Sequence, residues 1–318
     1  MAGSGCAGVD SMTDGRAGGF GRRLALAIPY IWLVAFFAAP FAVIVRLSLS
    51  QSVIAQPPYA PQFDFAGGFA KMLEGVRQLS LENFALLFSD SLYLDSYLSS
   101  LRIALISTLI ALAIAYPMAL AMSRAPQHLK PALILLAIAP FWTSFLIRVY
   151  AWIGILRDEG FLNGALMSMG LIDEPLRIFA TETAVIIGIV YSYLPFMVLP
   201  IFNAIDRQDR SLLEAAMDLG ASRLVAFWTV TFPLSLHGAL AGSLLIFIPA
   251  AGEFVIPDLL GGSDTLMIGR TMWNEFFANR DWPVASAAAI LLLAALLAPL
   301  VIYERLQMRE ARKGVGVP

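Results

Sequence analysis

Long apolar runs alternate with short polar interruptions along most of this chain. The runs cover Leu24 to about Val45, Leu98–Met122, Pro131–Leu156, Ala184–Ile205, Leu236–Leu260 and Pro283–Tyr303. Each is about 20 residues or longer, the length at which an α-helix crosses the hydrocarbon of a bilayer. The pattern predicts an all-α membrane protein with about six transmembrane helices. Residues 1–21 are glycine-rich and without periodicity, and they read as a disordered tail. The first run follows Arg22-Arg23; it is too long for a signal-peptide core and lacks a small-x-small cleavage site, so it reads as a retained first helix. A first helix with an outer segment then spans 22–97, a five-helix core 98–305 and a C-terminal tail 306–318.

Between Ser48 and Tyr97 the chain is less apolar. Pro57-Pro58 and Pro61 mark extended chain, and Gly67-Gly68 a turn. Leu81–Leu94 has the mixed spacing of a helix at the membrane interface or of an exposed loop with one helical turn. Prolines recur inside or beside the spans, among them Pro117, Pro140, Pro195, Pro200, Pro249 and Pro257. Membrane helices tolerate such breaks where neighbouring helices or a polar cavity satisfy the freed carbonyls, which suggests a pathway rather than an anchor.

Composition agrees with this class. Hydrophobic residues make up 59%, charged residues 14%, and mean hydropathy is +0.76, far from the roughly 25% charge of a soluble domain. The net charge of −2 gives no general attraction to nucleic acid. The single cysteine, Cys6, excludes an intrachain disulfide, and His128 and His237 form no metal-ligand spacing. Placing both termini in the cytosol puts the tight basic loops Ser123–Lys130 and Asp206–Arg210 there, together with most of the 21 Lys and Arg. The other side becomes acidic, with Asp158-Glu159, Asp173-Glu174, Asp258, Asp264, Glu275 and Asp281. That is either a mouth that favours cations or a by-product of the positive-inside bias.

The longest polar-sided interruption of the C-terminal two thirds is Ser211–Pro233. Ser211-x-x-Glu214 is a capping-box pattern that predicts a helix start at Ser211. Leu212, Leu213, Ala216 and Leu219 give an apolar stripe, Ala215 and Ala216 keep the surface low, and Gly220 is a natural C-terminal stop. Ser222 caps a second short helix through Phe227 and Trp228, and Pro233 opens the next run. The product is a helix-turn-helix knob for a groove on another protein, or a cytosolic loop folded on itself.

Inside the fifth run lies a carboxylate, Glu253, between Pro249 and Pro257 and beside Gly252. A charge in a membrane helix faces the bundle or a water-filled path, and local unwinding here has the form of a transporter binding site. The other reading is a structural glutamate paired to an arginine such as Arg148 or held by backbone amides. Trp142, Tyr150, Trp152, Tyr191 and Tyr193 suit cation–π contacts with an amine, or an interfacial aromatic belt.

Glu214-Ala215-Ala216, then Gly220, Phe227 and Pro233, resembles the EAA loop of ABC-importer permeases. One departure is His237, where many members place a second proline. Longer stretches narrow the likeness: Pro140–Gly160, Tyr191–Pro200, Gly252–Gly269 and Asn279–Ala287 resemble the putrescine/spermidine importer permeases. The first run (AIPYIW) and NRDWPVASA lean to the putrescine branch. The resemblance implies a type I ABC-importer permease fold in a bacterial inner membrane. It implies a coupling helix of Ser211, Glu214, Ala215, Ala216, Gly220, Arg223 and Phe227. The residues read above as candidates for a substrate path are Glu253, Trp142, Tyr150, Tyr191, Tyr193 and Asp258. The resemblance also implies a second permease, two copies of a cytosolic ATPase that binds ATP and Mg, and a periplasmic polyamine-binding protein. The chain itself has no Walker-type nucleotide loop, so no cofactor and no catalysis are expected in it. Related branches carry opines and other amino-acid-derived solutes. A membrane enzyme finds no H-E-x-x-H or G-x-S-x-G here, and an ion-driven secondary transporter finds no internal repeat.

Overall fold

The computed structural model describes residues 19–62 and 75–314. Most of the expected tail, the Gly67-Gly68 turn and residues 315–318 lie outside the described residues.

Helix α1 (Gly19–Leu33) passes through a π turn at Val34–Ala38 into α2 (Ala39–Ser48). A two-stranded antiparallel ribbon follows, β1 (Gln51–Ser52) on β2 (Tyr59–Ala60), with Gln51 opposite Ala60. The expected interfacial helix divides at Asp90. Its first part is α3 (Glu82–Ser89); its last residues begin the long α4 (Ser91–Arg124). The division has a local cause: the Asp90 side chain accepts the Leu92 N–H at 2.9 Å and caps α4. Asn83 of α3 is buried and donates to the carbonyls of Ser48 and Ser50, at 2.8 and 2.7 Å, which ties the ribbon region to the bundle.

The third run is bent rather than straight. α5 (Lys130–Ile138) tightens into a 3₁₀ turn at Ala139–Trp142, and α6 (Phe145–Leu156) leaves at 86°. Thr143 and Ser144 are extended between them, and the Thr143 hydroxyl donates to the Pro140 carbonyl at 2.8 Å. Pro140 cannot donate to a helix ladder, and two extended residues complete the corner. After α7 (Phe161–Ser168) comes α8 (Glu182–Asp206), which matches the fourth run closely. Then follow α9 (Arg210–Asp218), α10 (Arg223–Ala226), a second π turn at Phe227–Thr231 and α11 (Phe232–Ala251).

The fifth span is therefore displaced from its expected bounds. It is one helical rod, Arg223–Ala251, and Pro233 lies inside it at the start of α11 instead of ahead of it. His237 causes no break in α11. The chain unwinds at Gly252–Phe254, as its sequence suggests, before the short α12 (Val255–Leu260). α13 (Ile268–Phe277) and α14 (Trp282–Gly314) complete the fold, with α14 covering most of the segment read as a tail. Among the described residues five helices are long and apolar enough to cross a membrane, or six if the bent pair counts as one span.

α4, α8 and α11 form the centre, packed on one another along their lengths. Small residues make this possible. Ala111, Ala115 and Ala119 of α4 are fully buried against Met197, Val198 and Ile201 of α8. Gly238 of α11 lies so close to Pro200 that an added methyl would sit 2.7 Å from its carbonyl oxygen. Close backbone approach replaces the hydrophobic effect as the source of helix association in lipid. α2 packs on α14 at the side, while no residue in the apolar window of the first span is buried within this chain.

Candidate functional site

The knob and the bundle meet at one end. The Lys130 ammonium at the start of α5 is buried and pairs with Asp206 at the end of α8. Gln208 donates to the Thr231 carbonyl at 3.1 Å, in the second π turn. Ser123, Arg124, Asp206, Asp209, Glu214 and Met217 border one cleft of about 280 Å³ there. The short basic loops and α9 therefore share an end of the molecule.

α9 starts one residue earlier than its capping-box pattern predicts. Asp209, not Ser211, is the N-cap: its carboxylate accepts the Ser211 N–H at 2.9 Å, and Arg210 is already helical. That hydrogen bond holds the Asp209 carboxyl below its ordinary value. The cap is thus in place at neutral pH and is lost as acid protonates the group below the usual carboxylate range. Glu214 is released from a capping role and stands exposed on the helix. The C-terminus is as expected. Gly220 has φ +89°, its N–H reaches the Met217 carbonyl at 2.9 Å, and the Ala221 N–H reaches the Ala216 carbonyl at 3.1 Å. These two bonds make a complete Schellman stop.

α9 buries none of its residues within this chain. Leu212, Met217, Leu219, Leu224 and Trp228 are exposed around Ala215 and Ala216, so apolar side chains rim a low central surface. Ser222 caps α10 through the Val225 N–H, which sets Arg223 at its first position, exposed. Phe227 behaves differently. Its ring turns inward and meets Tyr116 of α4 edge-on at 5.7 Å, and the Tyr116 hydroxyl in turn bonds Ser235 at 2.6 Å. Phe227 joins the knob to the bundle, whereas Leu219 and its neighbours face away.

The second region lies deeper, where the fifth span unwinds. Glu253 is 7% exposed. Its Oε1 accepts the N–H groups of Phe254, Val255 and Ile256 at 3.1, 2.9 and 3.4 Å, and its other oxygen accepts the Tyr193 hydroxyl. Glu253 precedes the N-cap residue Phe254, and its carboxylate caps the start of α12. Of the two structural alternatives expected for it, the hold by backbone amides is formed and the ion pair with Arg148 is not. Backbone amides at a helix start offer three donors at fixed positions, and the carboxylate satisfies groups that a helix leaves unpaired. Phe141, Phe145, Arg148, Ser192, Tyr193, Phe196 and Glu253 border an open cleft of about 580 Å³. Arg148, which a sequence reading treats only as a partner for Glu253, is the cation of this cleft.

The other path candidates scatter. Tyr191 packs edge-on against Trp152 at 5.2 Å, beside Tyr193 in the chain but on another face of α8. Trp142 is 74% and Tyr150 56% exposed, both away from the cleft lining. Asp258 pairs with Arg270 at 3.3 Å, and Arg270 also donates to the Gly262 carbonyl. Of the six, Tyr193 and Glu253 are brought together. Among the described residues no group of His, Cys, Asp or Glu is arranged to hold a metal ion.

Gly269 packs against the unwound stretch and tolerates no added bulk. A methyl on Gly269 would lie 2.4 Å from the carbonyl oxygens of both Gly252 and Glu253. Gly269→Ala is expected to destabilise the fold by about 2–3 kcal/mol. The check is the amount of intact protein in the membrane fraction and its melting temperature in detergent; a wild-type melting temperature would refute the close approach.

A helical membrane bundle with one span bent after Pro140, one unwound at Gly252–Phe254 and a projecting helix-turn-helix at one end fits a class, the membrane permeases of ABC importers. Residues 23–309 match the family described as binding-protein-dependent transport system inner membrane component, and the chain belongs to that family. It is a multi-pass inner-membrane protein. It is 44% identical over 237 residues to the spermidine/putrescine transport system permease protein PotB of Salmonella typhimurium (strain SL1344), covering 74% of this chain and 80% of that one. To the PotB of Haemophilus influenzae it is 37% identical over 292 residues, 92% of this chain and 96% of the relative. Among solved structures it overlays a chain of the bacterial alginate ABC transporter in complex with alginate pentasaccharide-bound periplasmic protein. There the TM-score is 0.68 at 15% identity, over 92% of this chain and 98% of that chain, which shows a shared fold and no more.

Proposed function

We propose that this chain is the membrane permease subunit of an ATP-driven importer of polyamines, with putrescine as the first substrate to test. The observation that carries the reading is the match to spermidine/putrescine permeases over nearly the full length, 92% of this chain and 96% of one relative. The chain works with a second permease, two copies of a cytosolic ATPase and a periplasmic polyamine-binding protein. Both termini lie in the cytosol. The ATPase binds the nucleotide and its magnesium and hydrolyses it; this chain is moved by that cycle and catalyses nothing. α9 seats in the ATPase through Ser211, Glu214, Ala215, Ala216 and Gly220, with Arg223 at the rim and Phe227 as the joint to α4. Substrate passes the cleft beside Tyr193 and Glu253, and Trp142, Tyr150, Tyr191 and Asp258 meet it or the partner permease further along.

The exposed apolar rim of α9 supports the docking part of this reading, because an apolar patch without a partner in its own chain is an interaction surface. The test is uptake of radiolabelled putrescine in cells lacking only this gene and any redundant carrier, with spermidine and unlabelled opines as competitors. Uptake is expected to vanish and to return with the wild-type chain. Unchanged putrescine uptake would move the substrate to a neighbouring solute class.

A further inference from the structure

We propose that Phe141 and Phe145 form a binding site for an organic cation and that Arg148 occupies it as a built-in competitor. The inference deepens the polyamine reading and rests on it for the substrate's identity. The Arg148 guanidinium carbon lies 5.4 Å from the Phe141 ring centroid and 5.7 Å from that of Phe145. Both are distances at which a ring face attracts a cation. Its Nε and Nη1 are buried and have no hydrogen-bond partner. Among the described residues Arg148 makes no ion pair.

An arginine placed for structure finds acceptors for its fork of N–H groups. This one has two aromatic faces instead, in an open cleft that also contains a carboxylate. The carboxylate is not free to hold it, since Glu253 is bound by three backbone amides and by Tyr193. The guanidinium is thus held by the interaction that recognises an alkylammonium and by little else. Glu253 still supplies one negative charge to the cleft. Exchange of the guanidinium for one ammonium end of the diamine leaves the charge at the two rings unchanged, whereas the presence of both cations there would not. Arg148 therefore has to swing off the rings before a diamine settles on them, and its return expels the diamine.

The experiment uses the purified assembled transporter, both permeases with the ATPase and no binding protein. Equilibrium binding of radiolabelled putrescine and of methylguanidinium is measured. Wild type is expected to bind both weakly. Arg148→Gln is expected to bind both about tenfold more tightly, Arg148→Lys to behave as wild type, and Arg148→Gln with Phe141→Ala and Phe145→Ala to lose the gain. Arg148→Met, which keeps the packed stem, replaces the Gln variant if that one does not assemble. No gain on removal of Arg148, or a gain that survives loss of both rings, would overturn the proposal. If wild-type cells do not carry putrescine while Arg148→Gln still gains methylguanidinium, the polyamine reading falls and the cation site stands.

Discussion

Replacing Gly220 by proline is expected to leave the protein in the membrane and to end coupled transport. Gly220 sits at φ +89° and its N–H closes the Schellman stop on Met217. Proline holds φ near −65° and has no N–H, so it opposes the turn twice, at a cost of about 3 kcal/mol. Occupancy of the docking geometry should fall by about 100-fold. Insertion is untouched, because α9 and its turn bury nothing in the bundle and the spans on either side are complete without them. Gly220→Ala separates strain from crowding. An added methyl there meets nothing within 4 Å, so only the left-handed backbone resists it, at roughly 1–2 kcal/mol. It should keep part of the activity. Ala216→Trp tests the surface instead of the turn, by filling the low centre of the patch while leaving the backbone alone. Uptake, ATP hydrolysis stimulated by loaded binding protein, and membrane abundance are read together. Wild-type uptake by both Gly220→Pro and Ala216→Trp would end the docking hypothesis.

What the sequence makes legible follows from the range of the forces involved. The spans are read well because about 20 consecutive apolar residues have one fate in a bilayer, and Glu182–Asp206 differs from its expected bounds by very little. Gly220 is read well because a single residue type relieves a left-handed turn. Features decided by competition between near-equal local partners are read poorly. Asp209 and Ser211 both offer a capping oxygen two residues apart, and the choice falls to Asp209 with an extended backbone of φ −70° and ψ 120°. The corner at Thr143–Ser144 hides among several prolines that only kink or fit their helices. The two π turns leave no residue signature, so the rod from Arg223 to Ala251 begins earlier than hydropathy suggests.

The candidate path shows the same limit. Aromatic type alone does not say which face of a helix a ring occupies. Tyr193 reaches the cleft, whereas Tyr191, two positions away, packs on Trp152. Arg148 is hidden for another reason: a cation inside a span suggests an acid to pair with, and the acid that borders its cleft is already taken by backbone amides. That preference is a matter of three-dimensional donor geometry, and it becomes visible only once Gly252–Phe254 is unwound.

Glu253 carries the second large effect, and two substitutions divide its roles. Glu253→Ala removes the acceptor from three amides and from Tyr193 in a site that is 7% exposed. Loss of the cap and buried unsatisfied donors together cost about 3 kcal/mol. The variant is expected to melt early in detergent and to be depleted from the membrane. Glu253→Gln keeps an oxygen for the amides and nearly the same volume, so it should assemble at the wild-type level and melt within about 1 kcal/mol of wild type. It removes the negative charge, however. A diamine ammonium in the cleft then stands without its counter-charge in a medium far less polarisable than water, and uptake should fall about tenfold. The comparison of melting with uptake is decisive for this residue. A Gln variant that is stable and transports as wild type makes Glu253 a helix cap alone. A stable variant with tenfold less uptake makes the cap and the counter-charge one carboxylate with two duties.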